Sequence, residues 1–109
     1  MGGGISEFVG TSKEWFHGAK SSIGTSQAQL SADPVVLATP LSKGVLVKAA
    51  SANAGKIYVG KDGVTNGSAD ATDGFELEGA ESIFVETDWL DRVYVIASAS
   101  GQKVFWAAV

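Results

Sequence analysis

The feature that most limits the possible folds is a succession of short β-branched and aromatic runs cut apart by turn residues. They fall at 35–39, 45–49, 56–59, 75–77, 82–86, 92–97 and 103–107. Runs this short, about 8 to 12 residues apart, signal an antiparallel sandwich or barrel. Within 45–49, Val45, Val47 and Ala49 share one face and Leu46 and Lys48 the other, the period of a strand with one buried side. Gly60, Gly63, Asn66, Gly67 and Gly74 break the pattern, so 60–74 reads as loop. Phe75 to Leu77 reads as a short edge piece, and the last two runs, joined by residues 98–102, read as a hairpin. No helical period of useful length interrupts the series, which argues against βαβ units. The expected class is all-β, a small antiparallel β-sandwich.

Residues 1–34 are of another kind. Gly, Ser, Thr and Gln are abundant, and neither a period of 2 nor one of 3.6 persists. Ser12 as N-cap, Glu14 in the first turn and Gly18 as stop predict one short helical turn. Otherwise the stretch reads as an extended N-terminal arm, able to span on the order of 110 Å at about 3.3 Å per residue. A solvated tail gains nothing from large apolar side chains, which release free energy only in a core or an interface. Ile5, Phe8, Val9, Trp15 and Phe16 are therefore candidate contacts to another subunit, the alternative being that they fold back on their own domain. The division is an arm at 1–34 and a β-sandwich domain at 35–109.

Cysteine is absent, which removes disulfides, thiolate catalysis and cysteine-bound metal. His17 is the one histidine, beside two aromatics, and reads as a packing or surface residue. There is no Walker loop, no G-x-G-x-x-G after a strand, no H-E-x-x-H and no G-x-S-x-G elbow. Carboxylate pairs such as Glu76 and Asp91 can be drawn between any of twelve acids, so they carry no specificity. The expectation is a protein that is not an enzyme and has no cofactor. A net charge of −4 argues against nucleic acid as a partner. No stretch approaches the roughly 18 consecutive apolar residues of a membrane span. No basic segment followed by an apolar one suggests a secretory leader. Residues 1–6 fit the myristoylation pattern, yet no basic cluster follows as a second anchor, and they read as a glycine-rich start. Asn66-Gly67-Ser68, formally a glycosylation sequon, reads as a turn.

Charge is sorted along the β domain. Four lysines (Lys43, Lys48, Lys56 and Lys61) and no acid lie in 35–61, nine acids and no base in 62–91, and Arg92 and Lys103 follow. Three readings compete. The acids form a solvated face that discourages edge strands from pairing with other chains. Alternatively, an acidic rim meets a basic rim on a neighbouring copy. The third is a calcium loop built on Asp62, Asn66, Asp70 and Asp73, whose spacing does not fit D-x-[DN]-x-[DN]-G. A 75-residue sheet domain without a staple has a marginal core, and oligomerisation is the expected remedy. Tyr94, Phe105 and Trp106 are the candidate oligomer contacts, and Trp89, in the turn 87–91, is the candidate glycan contact.

The segments KGVLVKA (43–49), IYVGKDGVT (57–65), GFELEGAESIFVE (74–86) and LDRVYVIASASGQKVFWAAV (90–109) together resemble small β structural proteins of tailed bacteriophages. The chain looks similar there to capsid decoration, or cement, proteins and related head-surface domains. That resemblance implies a jelly-roll-like domain, a self-associating dimer or trimer, and the major capsid protein as partner. It also implies a place on the capsid surface of the virion after synthesis in the host bacterial cytoplasm, with no membrane and no nucleic acid involved. No catalytic or metal residues carry over. The alternative expectation is a tail, collar or fibre module that binds host-surface glycans.

Overall fold

The computed structural model describes residues 15–68 and 70–109. Among them, eight strands form two antiparallel sheets of four strands each. They are β1 (Phe16–Ile23), β2 (Ala28–Gln29), β3 (Gly44–Ala49), β4 (Ile57–Gly60), β5 (Phe75–Leu77), β6 (Ser82–Glu86), β7 (Tyr94–Ala97) and β8 (Gln102–Ala108). Sheet I runs β1-β8-β3-β6 and sheet II runs β2-β7-β4-β5. Pairing of β1 with β8, β2 with β7, β3 with β6 and β4 with β5 is the winding of a jelly roll. Only the β4–β5 link stays within one sheet; every other link carries the chain across the sandwich.

Alternation decides which side chains meet between the sheets. Val45, Val47 and Ala49 of β3 and Val104, Trp106 and Ala108 of β8 point inward from sheet I. Ile57 and Val59 of β4, Leu77 of β5 and Val95 and Ala97 of β7 answer them from sheet II. Leu30, Leu41, Leu90 and Val93, from the connections, are buried in the same core. The inward and outward sets expected for 45–49 are therefore the observed ones, and β5 is an edge strand as expected.

Four expectations change. Residues 16–30 are not an arm: β1 and β2 complete both sheets, so the domain reaches back at least to Trp15. Isolated on paper, β1 (FHGAKSSI) shows little apolar periodicity, because Gly18 and Lys20 occupy inward positions that larger residues hold elsewhere. The helical turn expected to end at Gly18 is replaced, from Phe16 on, by this strand; its start at Ser12 lies outside the described residues. The run 35–39 is helical where a strand was expected. Asp33 caps the turn α1 (Pro34–Leu37) by accepting from the Val35 N–H at 2.9 Å, and Pro34 supplies a helical φ at its first position. Finally, β7 and β8 do not form a hairpin. Both edges of β8 are taken by β1 and β3, and both edges of β7 by β2 and β4. A short Gly-containing link suits an arch between sheets as well as a hairpin, and long-range pairing selected the arch.

Trp106 joins the first 34 residues to the last strand. Its indole N–H donates to the Leu30 carbonyl at 3.1 Å inside the core. Phe16 packs edge-on against the same ring, with centroids 5.8 Å apart. Gly18 lies under it, where a Cβ would stand only 2.6 Å from the indole. The substitution Trp106→Phe removes the donor and leaves the buried Leu30 carbonyl unpaired. It should lower unfolding stability by about 2 kcal/mol, read as a fall in the urea midpoint. Trp15→Phe, at an exposed indole, should change it by less than about 0.5 kcal/mol.

Candidate functional site

The two sheets differ in what covers their outer faces. Outside sheet II, Tyr58 and Ile96 are buried under the 61–74 loop, which lowers Val64 onto them, with Tyr94 packed alongside. That loop is secured at several points. The Gln27 side-chain amide donates to Asp62 and accepts from the Gly63 N–H, both at 2.7 Å. Asp73 accepts from the Thr65 hydroxyl at 2.8 Å and the Ser68 N–H at 3.0 Å. Asn66 donates to the Ala97 carbonyl on β7. The loop is a roof.

Among the described residues, sheet I has no such roof. Leu46 and Lys48 of β3, Phe84 and Glu86 of β6, and Lys103, Phe105 and Ala107 of β8 point outward. The register aligns His17, Ala107, Leu46 and Phe84 in one row across the four strands. The next row holds Ala19, Phe105, Lys48 and Ser82. On the other side of the central row stand Val109, Gly44 and Glu86, with Gly44 and Val109 joined by two backbone hydrogen bonds. Trp15, one residue ahead of β1, stacks on His17 with ring centroids 5.5 Å apart. Of the six large hydrophobic residues exposed among the described ones, Trp15 (64%), Leu46 (40%), Phe84 (45%) and Phe105 (46%) belong to this face. Covering the exposed half of each of the last three is worth about 1 kcal/mol per side chain. A contiguous apolar face of this kind marks an interaction surface.

A second feature lies where the sandwich opens beside β6. A groove of about 1150 Å³ runs between β6 and the β4–β7 end of sheet II, floored by Val59, Ile83, Val85 and Val93. Lys43, Lys61 and Arg92 line it together with Asp62, Glu86, Asp88 and Asp91. The acidic segment thus borders the two edge strands β5 and β6, the position in which charge keeps an edge from adding strands. Lys56 and Glu76 pair at 2.8 Å across β4 and β5, and the hydrogen-bonded carboxylate holds the lysine above its ordinary pKa. The pair is exposed, an edge tie of small energetic weight.

The candidate residues separate in the structure. Ile5, Phe8 and Val9 lie outside the described residues. Trp15 is exposed on the outer face of sheet I, while Phe16 turns inward to Trp106. Trp106, offered as an oligomer contact, is a core residue at 5% exposure because its donor and ring are both engaged inside. Tyr94 is half-buried beside Tyr58 and Ile96, and its hydroxyl meets the Gln29 amide at 3.4 Å. Phe105 is exposed beside Lys103, whose ammonium sits 4.8 Å from the ring centroid. Trp89 is half-buried, and its backbone N–H donates to the Thr87 hydroxyl at 3.4 Å. Leu46 and Phe84 were missed. Their signal was present, since each alternates with buried neighbours and shares its face with Lys48 or with Ser82 and Glu86.

Compared with protein families, curated proteins and solved structures, the chain matches none.

The four donors of the supposed calcium loop are occupied with ties to the roof. Among the described residues, no three His, Asp or Glu side chains converge as a metal set. Thermal midpoints in calcium and in EDTA should therefore coincide. Asp73→Ala, which removes the acceptor of the part-buried Thr65 hydroxyl and of the exposed Ser68 N–H, should cost about 1 kcal/mol in either buffer by denaturant titration.

Proposed function

We propose that the chain is a non-enzymatic structural protein of a virion, a capsid decoration (cement) protein that works as an oligomer on the outer shell. The observation that carries this reading is the bare apolar face of sheet I. A jelly roll that roofs one outer face with a tied loop and leaves Leu46, Phe84 and Phe105 in water on the other is built to be covered. Rigid strands present that face, so little ordering cost accompanies docking. A cement protein needs surfaces of this type, because many copies each bury a modest area and the shell gains by multivalency. The segment resemblance to phage head-surface proteins supports the same reading, and the jelly roll suits it. The major capsid protein is the partner, and the capsid exterior is the place of action.

The test is cosedimentation with empty shells of a tailed bacteriophage assembled from its major capsid protein. Wild-type protein should pellet with shells at low micromolar concentration, and the Leu46→Asp/Phe84→Asp double variant should bind at least tenfold more weakly. Equal pelleting of the double variant would remove the face from the reading. A wild-type protein that stays in the supernatant would remove the shell.

A further inference from the structure

We infer that the outer face of sheet I is a self-complementary surface, covered by the same face of a second copy across a two-fold axis perpendicular to the strands. This rests on the reading of that face as an assembly surface and names its occupant. The axis lies over the central row of His17, Ala107, Leu46 and Phe84. An isologous contact sets each residue on the axis against its own copy and exchanges the rows on either side. Exchange of these two rows sets large residues against small ones. The partner's Lys48 comes over Gly44, where no side chain stands, and within one strand spacing of Glu86. The partner's Phe105 comes over Val109, and the partner's Ala19 over the start of β1. Leu46 and Phe84, each roughly half exposed, meet their own counterparts at the centre.

Charge selects this axis over the other isologous choice. A two-fold axis parallel to the strands gathers Lys48 and Lys103 of both copies at one end and both Glu86 side chains at the other. Like charges would then face one another in a partly desolvated interface, which disfavours that orientation. Rotation perpendicular to the strands carries each Lys48 toward the opposite Glu86, making two symmetric ion pairs flanking an apolar centre. Sheets packed face to face with nearly aligned strands, about 10 Å apart, are a standard geometry for such a contact.

Sedimentation equilibrium of the full chain in the low micromolar range tests the proposal without shells. Two copies per particle are expected, with Leu46→Asp reducing the mass to one copy while the circular dichroism stays that of a β protein. Charge exchange reads the axis. Glu86→Lys and Lys48→Glu should each raise the dimer dissociation constant at least tenfold at low salt, and the double variant should recover most of that loss. Single substitutions without effect, or a double variant no better than the singles, would overturn the orientation. A wild-type chain that is monomeric throughout the range would overturn the second copy as occupant. Loss of the dimer also weakens shell binding through lost avidity, so the two readings separate on the wild-type chain: a monomer that pellets with shells overturns the second copy, and a dimer that stays in the supernatant overturns the decoration reading.

Discussion

The jelly roll depends on one side chain near its end. Trp106 reaches from β8 to the Leu30 carbonyl, packs on Phe16 and lies over Gly18, so a single indole holds β1 and the β2 connection against the last strand. Jelly-roll winding pairs the first strand with the last, a contact that must offset the loop-closure entropy of almost the whole described chain. A buried donor with a partner that it alone supplies is a strong way to hold such a closure in register. Gln102, at the start of the same strand, adds a second tie by accepting from the Gly55 N–H at 2.9 Å. Asn53 adds a third, exchanging both its amide bonds with the Lys103 backbone.

With the closure set, the functional asymmetry follows from loop length. The connection between β4 and β5 is long enough to fold back over sheet II, and Gln27, Asp73 and Asn66 hold it there. Among the described residues, no comparable segment crosses sheet I. Its outer residues therefore keep their apolar character in water, and the alternation that builds the core also delivers Leu46, Phe84 and Phe105 to one exposed face. The proposed activity, surface covering surface, uses what the fold leaves uncovered.

Much of this was legible along the chain. Short β-branched and aromatic runs located β3, β4, β5, β6, β7 and β8 within a residue or two, and alternation within 45–49 set Val45 and Val47 on the face opposite Leu46. The glycines of 60–74 marked the loop. β1 was illegible because its inward positions include Gly18 and Lys20, and their fit becomes apparent only once Trp106 fills the space above Gly18. The strand expected at 35–39 became a helical turn through a local competition, Asp33 and Pro34 nucleating α1 ahead of a β-branched pair. At the candidate site, the alternation that buried Val45 and Val47 also implied an outward Leu46. What the alternation did not convey was that Leu46, Phe84 and Phe105 are neighbours on a single sheet.

What the sequence by itself determined is therefore local: an all-β chain without cysteine chemistry, the places of most strands, the two faces of β3, and the turns between strands. Each of these follows from forces that act within a few residues, namely side-chain alternation, glycine and proline geometry, and capping. Which strands are neighbours, that residues 16–30 belong to the domain, and that one outer face is roofed while the other is bare were decided only by the tertiary structure. Those outcomes depend on pairings between residues up to some ninety positions apart, such as Phe16 with Ala108, whose energies no local window contains.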